Sequence, residues 1–272
     1  MPTILVNGIT LAYETHGSGQ PLVLISGLGY DRWQWHKLVP GLAEHFTVIT
    51  FDNRGVGQTD KPAGPYTAQL LADDTAGLIT ALGYQRAHVM GHSMGGYIAQ
   101  ALALSHPDVI DKLILASTNF GGPHHIPVTP EAMAVLTDVK SDPVTRFKNG
   151  LAVSTAPGYA DKNADMIETW LKWRIQNPIE PAAYQAQLAI GLALFAESAC
   201  FEGKLKHVTA STLILFGAHD KVVPPGNAEL LAREIPTSTI EILPDAGHFF
   251  PIETPDAANA AIIKFLRGDH NR

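Results

Sequence analysis

Apolar residues are distributed along the chain in two rhythms: short unbroken runs, and longer stretches where apolar positions recur every third or fourth residue. The first pattern reads as buried strand, the second as helix. Thr3–Val6 and Ile9–Thr15 are β-rich and joined by Asn7-Gly8, the strongest two-residue hairpin signal, so the sheet is expected to begin antiparallel. Pro21–Ser26 and Phe46–Phe51 read as fully buried strands, with a helix-like stretch, Trp33–His45, between them despite Pro40. A helix from about Tyr66 to Leu82 carries Leu70, Leu71, Leu78 and Leu82 on one face and stops at Gly83. His88–Met90 reads as the next strand, Met94–Ser105 as a helix ended by Pro107, and Lys112–Ser117 as a further strand. This alternation predicts an α/β fold with a mostly parallel, doubly wound sheet.

The alternation breaks after Thr118. Phe120–Pro127 is a Gly/Pro/His linker, and from there to about Gly203 the sequence keeps helical periodicity without one convincing strand. We read residues 121–203 as an inserted helical cap, with 1–120 and 204–272 as the core. Strand and helix then alternate again through Leu213–Phe216, Gly226–Glu234, Thr239–Leu243 and Pro255–Leu266. Doubly wound sheets bind ligands outside the C-terminal ends of their strands, and the insertion is expected above that edge.

Composition narrows the partners. The 272 residues are 46% hydrophobic, enough for a sizeable core. The longest nearly unbroken apolar run, Leu188–Ala196, is about half what a membrane span needs, and it reads as cap packing or as a contact in a homodimer. The N-terminus has neither a basic head nor a long apolar stretch, so a cytoplasmic address is expected. A net charge of −7 without a Lys/Arg cluster argues against nucleic acid and anionic membranes, leaving small neutral or apolar molecules as partners. The single cysteine, Cys200, fits a small buried hydrophobe.

The chemistry centres on Gly91-His92-Ser93-Met94-Gly95, a G-x-S-x-G pentapeptide placed between a strand and a helix. A serine on so sharp a turn is pushed into the open, and glycine neighbours let strand and helix approach closely. It also falls at a helix N-terminus, where unpaired N–H groups favour developing negative charge. The plain alternative is a glycine-rich turn with an incidental serine, and residues elsewhere decide between the two. Further strand-end loops are Gly217–Pro225, containing His219 and Asp220, and Pro244–Phe250, containing Asp245 and His248. In a doubly wound sheet both open onto the same edge as Ser93.

The order nucleophile, acid, histidine, together with Ser26-Gly27-Leu28-Gly29, Asp52–Thr59, the pentapeptide, Asp220–Pro224 and Gly247-His248, resembles the α/β-hydrolase superfamily, its esterase and lactonase branch, over nearly the whole chain. The resemblance implies Ser93 as nucleophile, His248 as general base and acid, and Asp220 as the residue that orients the imidazole. It implies backbone N–H groups of Leu28 and Met94 as the oxyanion hole, and neither metal nor cofactor. The family loop often begins His-Gly; Ser26-Gly27 departs from it.

Other candidates rank lower. Asp245 lies too close to His248 in sequence to reach the far ring nitrogen. His92 reads as a packing or hydrogen-bonding residue, and His219 as a bystander. Adjacent His124 and His125 lack ligand spacing. Asp52 and Arg54 are expected to form an internal ion pair or loop hydrogen bonds. Trp170, Leu192, Phe195 and Phe249 are the candidate pocket lining, and Arg146, Lys172 and Arg174 are the cations available to hold a substrate carboxylate. The expected activity is hydrolysis of small to medium carboxylic esters. The rivals are a lactonase of the 3-oxoadipate enol-lactone type, which needs a cap cation facing the cleft, a C–C bond hydrolase, and a non-catalytic ligand receptor. Serine at position 93 argues against haloalkane dehalogenases and epoxide hydrolases, which use a carboxylate nucleophile.

Overall fold

The computed structural model describes residues 1–138 and 140–268. Strands β1 (Thr3–Val6) and β2 (Ile9–His16) form the expected hairpin; Asn7 (φ 48°) and Gly8 (φ 76°) both take the left-handed conformation that a tight two-residue turn requires. With β3 (Gln20–Ile25), β4 (Phe46–Phe51), β5 (Ala87–His92), β6 (Ile110–Ala116), β7 (Ser211–Gly217) and β8 (Ser238–Leu243) they build an eight-stranded sheet in the order β1-β2-β4-β3-β5-β6-β7-β8. β2 pairs antiparallel with β4, and every later pairing is parallel.

Both faces of the sheet are covered, which is why β4 and β5 are buried along their whole length rather than at alternate residues. On one face Val23, Val89, Leu113 and Ile214 meet Leu71, Ile98, Leu102 and Leu231, from α2 (Ala68–Ala81), α3 (Met94–Ser105) and α9 (Asn227–Glu234). On the other, Leu22, Leu24, Met90 and Ile114 meet Trp35, Leu42 and Ile262, the last two from α1 (Val39–Ala43) and α11 (Pro255–Arg267). Helix α2 is capped by Thr67, whose hydroxyl accepts the Leu70 N–H at 3.0 Å. The stretch Trp33–His45 is not one helix. It divides into a 3-10 turn, Arg32–Trp35, and α1, with Pro40 in the first turn of α1, because proline lacks the N–H that an interior position needs.

Between β6 and β7 the chain runs through α4 (Pro130–Leu136), α5 (Pro143–Ser154), α6 (Tyr159–Lys162), α7 (Ala164–Gln176) and α8 (Pro181–Ala193), with no strand among the described residues. Two backbone bonds close the neck of this insertion: Gly122 N–H to Leu194 O (2.7 Å) and Phe201 N–H to Phe120 O (2.8 Å). A third apolar cluster, Leu151, Ile167 and Trp170 against Phe249 and Ile252, seats it on the core. The short helix α10 (Phe250–Glu253), which the sequence pattern does not predict, supplies part of that seat. No helix of the described residues is long and apolar enough to cross a membrane.

Candidate active site

Ser93 stands at the junction of β5 and α3 with φ 56° and ψ −119°, a conformation that side-chain-bearing residues rarely adopt. Its surroundings hold it there. The Ser93 N–H donates to Ala116 O (2.9 Å), while its carbonyl accepts from Gly96 N–H (2.8 Å) and from the Thr118 hydroxyl (2.9 Å). A Cβ on Gly91 would collide with the Gly95 carbonyl, and one on Gly95 with the Ile25 carbonyl. The glycines therefore serve close approach of strand and helix.

Asp220 follows β7 and His248 follows β8, and the topology brings them together: His248 Nδ1 lies 2.8 Å from Asp220 Oδ2, with both side chains buried. The other carboxylate oxygen accepts the N–H groups of Val222 (2.9 Å) and Val223 (2.8 Å), so the acid is fixed before it meets the imidazole. A carboxylate accepts only, which puts the proton on Nδ1 and leaves Nε2 with a free lone pair. The histidine backbone is held as well; its N–H donates to Ser154 O at 2.8 Å and its carbonyl accepts from His92 Nε2 at 2.7 Å. His92 is fully buried, and burial holds its pKa well below the usual histidine value. Ser93 follows His92, whose ring is 4.7 Å from that of His248. Among the described residues no hydrogen bond joins Ser93 Oγ to His248 in this resting arrangement; such bonds tighten in the Michaelis complex.

The 26–29 loop abuts the serine, since a Cβ on Gly27 would lie 3.3 Å from Ser93 Cβ. Gly27 N–H donates to Gln34 Oε1 and Gly29 N–H to Gln187 Oε1, both at 2.9 Å. Between them, Leu28 N–H has no acceptor among the described residues, and neither has Met94 N–H. Ser26, which stands where the family often has histidine, anchors the loop by donating to Asp31 O (3.1 Å) and accepting from Trp35 Nε1 (2.9 Å). Burial, then the neighbouring Asp52, raises the Asp31 carboxyl to about 6.

Asp52 and Arg54 do not pair with each other. Arg54 binds Asp74 through two nitrogens at 2.7 and 2.8 Å, and Asp52 accepts from Arg32 Nη1 at 2.8 Å and from Gln58 N–H at 2.8 Å. Of the candidate lining residues, Trp170 and Phe249 are buried against each other at 4.9 Å. Leu192 and Phe195 are instead 58% and 56% exposed. The reason for Leu192 is helical phase: Ala183, Ala186, Gln187 and Ile190 form the buried face of α8, and two residues beyond Ile190 is about 200° around the axis. Phe195 lies past the end of that helix, 5.6 Å from the His125 ring.

The candidate cations are engaged or outside the core of the site. Lys172 pairs with Glu168 on the surface, Arg146 is exposed, and Arg174 donates to Gly29 O at 2.9 Å while its guanidinium stacks over Tyr30 at 4.7 Å. Asp245 and His219 are exposed, His124 pairs with Glu202, and His125 bonds Gly122 O. No metal-binding cluster occurs among the described residues. Cys200 is buried, as expected. A cavity of about 670 Å³ lined by Trp33, Trp173, Arg174 and Gly57 touches the loop at Gly29 but includes none of Ser93, Asp220 and His248.

Two supporting residues are not found by sequence reasoning. Gln187 is fully buried, and its only signal is a lone amide on the small-residue face of an apolar helix. Glu253 accepts the N–H groups of Ala156 (2.6 Å) and Gly247 (3.1 Å), tying the histidine loop to the insertion. Burial raises this carboxyl to about 7. Nothing in its local sequence marks it.

The sheet order, the strained serine and the Asp220–His248 pair define an α/β hydrolase. The family model for the alpha/beta hydrolase fold matches residues 20–255, and the chain belongs to that superfamily, within its esterase and lactonase branch. It is similar to a thermophilic esterase from Thermogutta terrifontis, at 30% identity with 100% of both chains covered and a TM-score of 0.81. The enol-lactonase from Burkholderia xenovorans LB400 is similar at 27% identity, covering 98% of this chain and 100% of its own, with a TM-score of 0.80. RutD from Caulobacter sp. (strain K31), provisionally named a carbamate hydrolase, is 29% identical over 266 residues, covering 95% of this chain and 96% of its own. The protein is a hydrolase.

Proposed function

We propose that the protein is a serine hydrolase of small to medium carboxylic esters, working through an acyl-enzyme at Ser93. The observation that carries this reading is the fixed Asp220–His248 pair, which leaves Nε2 with a free lone pair. In acylation, His248 Nε2 takes the Ser93 proton as Oγ attacks the ester carbonyl, and the oxyanion lies between the N–H groups of Leu28 and Met94. The imidazolium, steadied by Asp220, then gives its proton to the departing alcohol; water, activated by the same nitrogen, releases the acid. Residues 121–203 act as the cap, with Trp170 and Phe249 contributing an apolar wall that suits an uncharged acyl group.

The lactonase reading uses the same triad and is supported by the similarity to an enol-lactonase. Neutral substrates are favoured over carboxylate-bearing lactones because Arg174 is engaged with Gly29 and Tyr30. The test is turnover of short p-nitrophenyl esters by the wild type and by Ser93→Ala, with circular dichroism to check the fold, beside neutral and carboxylate-bearing lactones. Residual Ser93→Ala activity at the wild-type level overturns the nucleophile. A preference of several powers of ten for the charged lactones replaces the ester reading.

A further inference from the structure

The loop that carries the Leu28 N–H is a tight turn, closed by Tyr30 N–H to Gly27 O at 3.2 Å with Gly29 at φ 71°; that bond shapes the turn but does not tie it to its surroundings. Its orientation comes from the groups that hold the flanking peptides. On one side Gly27 N–H is held by Gln34, a core residue. On the other, Gly29 is held entirely by the insertion: its N–H by Gln187 of α8 and its carbonyl by Arg174 of α7, both at 2.9 Å.

Gln187 is itself anchored. Its Nε2 donates to Arg54 O at 2.9 Å, and Arg54 is locked to Asp74 by two buried bonds. An N–H only donates and a carbonyl only accepts, so these two partners settle which end of the amide is which. The same helix makes a second backbone contact with the core next door, Tyr66 N–H to Ala186 O at 3.2 Å. The two clamps differ in weight. Gln187 is fully buried, where water cannot replace a lost bond, whereas Arg174 is only partly buried and water can solvate Gly29 O in its place.

We propose that Gln187 is a positioning residue for the reaction: from the insertion, it sets the oxyanion loop, so that the Leu28 donor is in place only when α8 is seated on the core. This rests on the acyl-transfer reading above. Gln187 touches no reacting atom; it acts through Gly29. Its loss is expected to raise the barrier for the charged intermediate while leaving ground-state binding nearly unchanged.

The test compares Gln187→Met, which keeps the volume and removes both bonds, with Gln187→Glu, Arg174→Lys and the control Gln185→Met, an exposed position on the same helix. With p-nitrophenyl acetate, Gln187→Met should lower kcat on the order of 10- to 100-fold, with KM nearly unchanged, somewhat less than the loss of a whole oxyanion donor. Affinity for a boronic acid that mimics the tetrahedral intermediate should fall by the same factor, and affinity for acetate should not. Arg174→Lys should lower kcat less than Gln187→Met. The Gln187→Glu variant makes both bonds at low pH, while its carboxyl is protonated. Once ionised it has no proton for Arg54 O, so its kcat relative to wild type should fall as pH rises. Hydrogen–deuterium exchange of the amides in residues 26–29 reads the same link without turnover and should quicken in Gln187→Met but not in Gln185→Met.

Wild-type kcat in Gln187→Met, unchanged exchange in that loop, or a flat pH ratio for Gln187→Glu each overturns the proposal, and the last serves if Gln187→Met does not fold. A wild type that turns over no ester overturns the acyl-transfer reading instead, while the exchange measurement still decides whether Gln187 holds the loop.

Discussion

The side chain of His92, immediately before Ser93, is hydrogen-bonded at 2.7 Å to the backbone carbonyl of His248, the proposed base. Because a carbonyl only accepts, the proton is on His92 Nε2, and because burial favours the neutral imidazole, no second cation opposes the imidazolium proposed for His248. One buried ring thus ties the two strand ends that must meet.

Replacing His92 with Leu removes the donor and strands the His248 carbonyl in the interior. The expected cost is about 1–3 kcal/mol of stability, read as a lower urea midpoint at unchanged m-value.

The two acids near the histidine should separate cleanly. Asp220→Asn is expected to lose about four powers of ten in kcat through the wrong imidazole tautomer, since Asp220 bonds Nδ1. Asp245→Asn, at an exposed position, should match wild type. A larger loss in Asp245→Asn would reverse the assignment.

Glu253 makes stability pH-dependent. Its carboxyl is raised from 4.5 to about 7 in the folded protein, so the native state holds a proton that the unfolded chain releases. That stabilisation is complete below about pH 4.5 and is lost as pH rises through 7, at about 1.4 kcal/mol per pKa unit as an upper bound. Asp31, raised to about 6, acts in the same sense. Buried His92 acts in the opposite sense, so the test is relative: Glu253→Gln should gain melting temperature against wild type as pH rises from 4.5 to 7.

The buried Arg54–Asp74 pair should be intolerant of half-removal. Asp74→Asn is expected to destabilise by about 3–5 kcal/mol by leaving the guanidinium uncompensated. The double variant Arg54→Met/Asp74→Leu should recover much of that loss in chemical denaturation.

The strand–helix alternation and the loops that carry Ser93, Asp220 and His248 are legible in the sequence because each rests on local signals: apolar runs, turn residues and strand-end positions. What is not legible depends on helical phase and on partners distant in sequence. Hydrophobicity alone places Leu192 in the pocket, yet the polar Gln187 takes the inward face of the same helix. Asp52 and Arg54 read as residues of an internal ion pair or of loop hydrogen bonds, but their partners Arg32 and Asp74 come from other elements and cannot be named from sequence. Helix α10 is hidden because proline at its start and only one turn of length leave no periodicity to read.

The neck between β6 and β7 makes the insertion an exchangeable cassette. It leaves and returns through neighbouring strands, and two backbone bonds, Gly122 to Leu194 and Phe201 to Phe120, close it without help from particular side chains. A graft from a relative can therefore keep the sheet intact. Among the contacts the donor must reproduce are an acceptor for Gly29 N–H, a donor for Arg54 O and the Ser154 carbonyl that accepts His248 N–H. Recombination at this junction is then limited by the contacts that seat the insertion, not by the backbone that closes it.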